Sequence, residues 1–181
     1  MKRILIAGLL AAAAALPLAQ TAVAGTPAPD VPIDIAVPDG HKPYMTAHAE
    51  GVQMYACFSA PGGHAWQLIG PRATLTGENG KLLGKHYGGP TWEARDGSTV
   101  VGARDAAVSV DPTAIDWLRL KADRTTAGAD GDRLVGTTYV QRINTAGGRA
   151  PLSSDCTDAE IGQLREIPYS ADYVFFKASG S

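Results

Sequence analysis

Four side chains with possible chemical roles lie within one short, turn-rich stretch: His86, Trp92, Glu93 and Asp96. His86 and Glu93 could form a base and acid pair, because imidazole and carboxyl groups are common proton-transfer groups. Trp92 could offer a flat face on which a sugar or another ring stacks. This stretch is therefore the first candidate for a ligand-binding or catalytic site.

The same stretch also has a purely structural interpretation. Trp92 could be a core residue, Glu93 a solvated one, and Asp96 the residue that makes a turn. If residues 91–94 form a strand, Trp92 and Glu93 point to opposite faces of the sheet. That geometry argues against a site that uses both side chains.

A second candidate lies further along the chain, where Arg142 and Asn144 precede a pair of glycines. A guanidinium group can bind a carboxylate through two parallel hydrogen bonds, which would suit an anionic ligand. A buried structural pair with Asp172 or Glu93 is the alternative. The sequence leaves both interpretations open.

The histidines show no metal-binding spacing. None of the four, at positions 41, 48, 64 and 86, belongs to an H-x-H, H-x-x-x-H or H-E-x-x-H pattern, which would place two imidazoles beside one ion. His41, His48 and His86 could still meet in the fold, so a three-histidine site is an open alternative. No metal site is predicted.

Other catalytic and cofactor motifs are missing from the sequence. There is no G-x-S-x-G nucleophile elbow. There is no G-x-G-x-x-G after a strand, so no dinucleotide or other cofactor is predicted. The formal net charge is −2 at pH 7, and the scattered Lys and Arg residues argue against a nucleic-acid partner.

The first 24 residues have the three parts of a secretion signal. Lys2 and Arg3 precede an apolar run over residues 4–18, and small residues follow at positions 22–24. The run is shorter than the roughly 20 residues that a membrane-spanning helix needs. Cleavage after Ala24 would give a secreted or periplasmic protein whose mature chain has no membrane span.

Cys57 and Cys156 are the only two cysteines. In an oxidising compartment a lone pair of cysteines usually forms a disulfide. A redox or metal-binding pair is the alternative, but catalytic redox pairs usually lie close together, as in C-x-x-C. The sequence therefore predicts one structural bridge.

The elements that must position these candidates are predicted to be β-strands. In residues 52–58 the apolar residues alternate, which places Val52, Met54, Ala56 and Phe58 on one face of a strand that carries Cys57. Two tandem hairpins are predicted over residues 70–84 and 89–102. Each begins with Gly-Pro, and they turn at Asn-Gly and Asp-Gly, the strongest short-range hairpin signals.

Further strands are predicted at residues 106–110, 117–122, 134–144 and 173–176. One short helix could begin after Thr157, which fits a capping box with Glu160. Short strands with frequent turns predict an all-β antiparallel sandwich or barrel. The predicted organisation is a signal peptide (1–24), a Pro-rich extended lead-in (25–43) and a single all-β domain (44–181).

Three blocks of the sequence, residues 84–98, 140–148 and 168–173, together resemble a family of exported bacterial and fungal proteins catalogued as domain of unknown function 3455. The resemblance covers about residues 41–177 and implies no established activity. Some fungal relatives carry a malate dehydrogenase label, which the missing dinucleotide motif and the lack of a βαβ unit do not support.

The sequence favours non-catalytic ligand or surface binding by residues around His86–Asp96 and Arg142–Asn144. The partner would be a small molecule, a glycan or an envelope protein. The alternative is a small exported enzyme, a lyase or hydrolase with or without a metal, that uses His86 and Glu93.

Overall fold

The computed structural model describes residues 26–180, so the predicted signal peptide lies outside the described residues. Eight antiparallel strands follow one another around a closed barrel, in which the last strand pairs with the first. They are β1 (His41–Ala60), β2 (Gly63–Thr76), β3 (Leu82–Tyr87), β4 (Thr91–Ala94), β5 (Thr99–Val108), β6 (Trp117–Thr126), β7 (Thr137–Gly147) and β8 (Leu164–Ala178). The predicted all-β class with antiparallel hairpins is confirmed.

The two predicted turns join neighbouring strands. Gly80 adopts a φ of 72° between β2 and β3, and Gly97 a φ of 80° between β4 and β5. The Gly-Pro pair at residues 70–71 does not open a new strand, however, because it lies within β2. There Gly70 lies opposite Met54, next to the register shift that leaves Ile69 of β2 without a partner on β1. The strand therefore begins at Gly63, seven residues before the predicted start of the hairpin.

The inward face of β1 differs from the predicted one. Gln53, Tyr55 and Cys57 are buried, whereas Phe58 is 40% exposed. Every second residue of β1 faces inward from Ala47 and Ala49 through Gln53 to Cys57. The alternation in β1 is unbroken, because the register shift beside Met54 leaves the extra residue, Ile69, in β2. Apolar alternation alone therefore predicted the wrong face.

The Pro-rich lead-in packs against the outside of the barrel. Residues Ile33–Ile35 form a single 3-10 turn, and the Ile35 side chain is fully buried against Val174 and Phe176 of β8. The Gln141 amide donates to the Ile35 carbonyl at 2.7 Å. β1 begins at His41, within the predicted lead-in.

The long β7–β8 connection, residues 148–163, lies against the end of β1. A disulfide joins Cys57 of β1 to Cys156 of this connection, as predicted. The predicted helix after Thr157 is only a 3-10 turn, Asp158–Glu160, in which the Thr157 hydroxyl accepts from the Ala159 N–H at 3.3 Å. No helix in residues 26–180 is long and apolar enough to cross a bilayer.

Candidate functional site

A cavity of about 310 Å³ opens at the end of the barrel where the β3–β4 and β5–β6 connections lie. We call this end the barrel mouth. Six of the side chains that line the cavity are Gln53, His86, Trp92, Leu118, Arg142 and Tyr173. The opposite part of the interior is filled by an apolar core that includes Leu75, Val100 and Phe175. The cavity is therefore a pocket with a packed base.

Strand register explains why these side chains meet. His86 lies opposite Trp92 in the β3–β4 pair, and Arg142 lies opposite both Leu118 of β6 and Tyr173 of β8. Side chains at directly opposite positions point to the same face of an antiparallel sheet. Two stretches that are distant in sequence thus contribute to one interior surface.

His86 lies against aromatic rings. Its Nδ1 donates to the Thr91 carbonyl at 2.8 Å, and because a carbonyl only accepts, the neutral ring carries its proton on Nδ1 and its lone pair on Nε2. The ring stacks on Trp92 at a centroid distance of 4.6 Å and meets the edge of Tyr173 at 4.8 Å. Burial lowers the pKa of His86 to about 3, and the positive charge of Arg142 acts in the same direction.

We expect the ring resonances of His86 to stay constant between pH 5 and pH 8 in an NMR titration. The folded pKa lies below the ordinary value of 6.5, so only the unfolded chain takes up a proton between pH 6.5 and pH 3. The contribution of His86 to stability is thus complete above pH 6.5 and is lost as the pH falls toward 3. His48 is the internal control, because its hydrogen bond to Asp172 raises its pKa above 6.5. A His86 midpoint above pH 5 would contradict this assignment.

Arg142 places a positive charge inside the barrel mouth. Its Nε and one terminal nitrogen donate to the Asp116 backbone carbonyl at 3.0 and 2.8 Å. No carboxylate of the described residues lies within 4.0 Å of its guanidinium nitrogens. Burial raises the pKa of the Tyr173 hydroxyl. The positive charge of Arg142 and a hydrogen bond between the two side chains lower that pKa. The guanidinium thus has hydrogen-bonding partners but no ionic partner in the part of the chain that the structure describes.

Two residues that line the cavity carry buried donors without hydrogen-bond partners among residues 26–180. These donors are Nε2 of Gln53 and Nε1 of Trp92, whose residues are 2% and 0% exposed. Buried polar groups in native proteins nearly always have a partner, so each exception calls for an explanation. Neither residue's donor role was predicted from the sequence.

The mouth itself combines apolar and basic side chains. Leu68 and Ile69 of β2 line the cavity and are 55% and 50% exposed. Arg104 lines the cavity beside Arg142, and Arg149 lines the adjoining surface groove. Among residues 26–180, Asp116 is the only acidic residue that lines either of them. The mouth is therefore positively charged, although the whole chain has a formal net charge of −2.

The family model described as "Protein of unknown function (DUF3455)" matches residues 38–177. The chain belongs to this family. The match covers the whole barrel except the last residue of β8, and it confirms the resemblance seen in the three sequence blocks. No curated protein and no solved structure matches the chain significantly.

Of the predicted site residues, this DUF3455 chain brings His86, Trp92 and Arg142 to the cavity. Glu93 lies on the opposite face of β4, where it accepts from Lys85 Nζ at 3.1 Å and from the Tyr87 hydroxyl at 2.9 Å. The hydrogen bond from Lys85 lowers the pKa of Glu93. The hypothetical His86–Glu93 acid–base pair is therefore not formed, because adjacent residues of a strand face opposite sides.

Asp96 and Asn144 also lie away from the cavity. Asp96 accepts from the Ser98 N–H at 2.9 Å and the Ser98 hydroxyl at 2.6 Å, and its other oxygen accepts from the Arg133 N–H at 2.9 Å. It holds the β4–β5 turn to the loop before β7. Asn144 donates to Asp172 at 2.8 Å on the outer surface. Both contacts are structural.

The histidines do not converge. The Nδ1 atoms of His41 and His48 lie 2.9 Å from the Thr138 hydroxyl and 3.0 Å from Asp172, respectively, whereas His86 lies inside the barrel. Within residues 26–180 no three His, Cys, Asp or Glu side chains are arranged to hold a metal ion. The proposed three-histidine alternative is not assembled.

Proposed function

We propose that the cavity at the barrel mouth binds a small organic anion, with Arg142 as its charge partner. The observation that carries this proposal is a guanidinium on the inner face of the barrel without a carboxylate within 4.0 Å among the described residues. A charge taken partly out of water is costly unless an opposite charge approaches it. A carboxylate that enters the mouth would supply that charge and could use both terminal nitrogens.

The walls of the cavity suit an apolar or aromatic body on the ligand. Trp92, Leu118, Leu120 and Tyr173 all line it. Aromatic and aliphatic walls with a few polar groups are typical of small-molecule sites, and the volume of about 310 Å³ lies at the lower end of their range. The exposed Leu68 and Ile69 extend this apolar surface to the solvent. A compact aromatic or aliphatic carboxylate fits these features.

Binding is favoured over acid–base catalysis by the state of His86. A general base works best when its pKa lies near the operating pH, whereas burial lowers the pKa of His86 to about 3. Its expected acidic partner, Glu93, lies on the other side of the sheet. Among the described residues that line the cavity, Asp116 is the only carboxyl side chain. We therefore assign the cavity a binding role.

The protein is also proposed to act outside the cytosol. A disulfide persists in oxidising environments outside the cytosol, and the Cys57–Cys156 bridge agrees with the leader predicted from the sequence. We propose a secreted or periplasmic binding protein for small organic acids. Mass spectrometry of the natively exported protein tests the location, because a mature chain that begins after Ala24 is expected.

We expect benzoate to bind this protein and its neutral isostere benzamide to bind at least about tenfold more weakly, because a hydrogen bond between charged groups contributes about 1.5–3 kcal/mol. Arg142→Gln should weaken benzoate binding by a similar factor and leave benzamide binding nearly unchanged. The measurement is a titration of ¹⁵N-labelled protein that follows the indole N–H signals.

The matched control is Arg124→Gln, which removes an exposed arginine that does not line the cavity. It should bind benzoate like the parent. Comparable melting curves for both variants would show that the fold is retained. Equal benzoate affinity in the parent and in Arg142→Gln, or no saturable shift with benzoate, would refute the proposed function.

A further inference from the structure

Two residues that line the cavity carry donors without a partner among residues 26–180, and an anion at Arg142 does not explain them. The indole ring of Trp92 contacts three other rings: His86 stacks on it, and Tyr173 and Phe175 meet it edge-on at 5.3 and 6.1 Å. None of these contacts offers an acceptor to Trp92 Nε1, which has no partner among the described residues. Because Trp92 lines the cavity, a polar group of a bound ligand is the partner that could satisfy this N–H.

Gln53 presents the second donor. Its neighbours in register are Pro71 on β2 and Ile167 on β8, and its amide nitrogen has no partner within residues 26–180. The side chain is almost completely buried and lines the same cavity as Trp92. A buried amide at an inward-facing position of the barrel is costly unless a polar group reaches it.

His86 adds an acceptor to these two donors. Because its Nδ1 donates to the Thr91 carbonyl, its Nε2 carries a lone pair and can only accept from a ligand while the ring is neutral. The cavity thus presents donors and an acceptor apart from the guanidinium. A carbonyl group would satisfy only the donors, and a methyl group would satisfy neither. A hydroxyl group both donates and accepts.

We infer that the ligand of this cavity is a hydroxylated organic acid, whose hydroxyl accepts from Gln53 or Trp92 and donates to His86 while its carboxylate binds Arg142. This inference rests on the proposed function and adds the class of ligand. Sites that hydrogen-bond a ligand hydroxyl discriminate strongly against the analogue that lacks it, because their own polar groups are then left unpaired.

The test compares 4-hydroxybenzoate with 4-methylbenzoate, which has nearly the same shape and the same carboxylate. We expect the parent protein to bind the hydroxyl compound at least about tenfold more tightly. The Trp92 indole N–H signal should shift on binding. Trp66 is the matched internal control, because its indole N–H is also buried and unpartnered among the described residues but lies beside the disulfide, outside the cavity. Its signal should not move.

Gln53→Met keeps the length of the side chain and removes its amide, so the preference for the hydroxyl compound should fall by severalfold while 4-methylbenzoate binds as before. The comparison in the parent protein needs no variant and stands even if Gln53→Met folds poorly. Equal affinities for the two acids would overturn the hydroxyl inference and leave the anion site intact. Binding of neither acid would overturn the anion site itself, and the inference with it.

Discussion

Replacing both Cys57 and Cys156 by serine is expected to lower the melting temperature by roughly 10–20 °C. The bridge joins residues 99 positions apart, and closing a loop of that length stabilises a fold by roughly 4–5 kcal/mol in the chain-entropy description. In a protein of this size each kcal/mol corresponds to about 2–4 °C. Differential scanning calorimetry of the parent and the double variant measures the difference.

Reductant provides the control for this prediction. Dithiothreitol should lower the melting temperature of the parent by a similar amount and leave that of the double serine variant unchanged. Parent and double variant that melt within about 2 °C of each other would show that the bridge does not stabilise the fold.

The bridge also has a local role near the mouth. The Cys57 N–H donates to the Gln163 carbonyl at 3.1 Å and the Gly162 N–H donates to the Cys57 carbonyl at 2.9 Å, so the connection runs beside the end of β1. At its other end the Tyr55 hydroxyl donates to the Gly148 carbonyl at 2.7 Å. Arg149, which follows directly, contributes to the charge of the mouth. Loss of the bridge should therefore also loosen the surface groove that adjoins the cavity, which Tyr55 and Arg149 line.

The parts of the fold that sequence analysis predicted correctly depend on local signals. The turns at Gly80 and Gly97 need only a residue that adopts positive φ, and the dipeptides Asn-Gly and Asp-Gly predict such turns. The disulfide followed from the number of cysteines and the predicted compartment. The opposite orientations of Trp92 and Glu93 followed from the period of a strand. Each of these inferences uses neighbouring residues or a simple count.

The cavity could not be predicted from one sequence, because the pairing of distant strands determines which side chains meet in it. Arg142 and His86 meet only because the barrel closes in a particular register, and register is set by pairings between distant strands. Gln53 was overlooked because a polar residue in a strand normally faces solvent. Its burial follows from its place on the face of β1 that also carries the buried Ala47 and Ala49. The signal that could have drawn attention to it is its position between the inward-facing Gly51 and Tyr55.

The position of His86 and Trp92 depends in turn on how closely β3 approaches β4. Gly84 lies on β3, two residues before His86, opposite Ala94 of β4. A Cβ atom at Gly84 would lie 2.1 Å from the Glu93 carbonyl oxygen. Since this neighbour is backbone, a larger residue can be accommodated only if the two strands separate. The His86–Trp92 stack spans the same pair of strands.

We therefore expect Gly84→Ala to destabilise the protein by roughly 3 kcal/mol, which is the upper part of the usual range for overpacking, and to lower its melting temperature by roughly 6–12 °C. Gly77→Ala is the matched control, because a Cβ there would have its closest contact at 3.5 Å, an ordinary van der Waals distance. Urea unfolding measures both variants, and the Trp92 indole signal reports the movement of β3 against β4. If Gly84→Ala is as stable as Gly77→Ala and the Trp92 signal is unchanged, the close approach of these strands does not hold the His86–Trp92 stack in place.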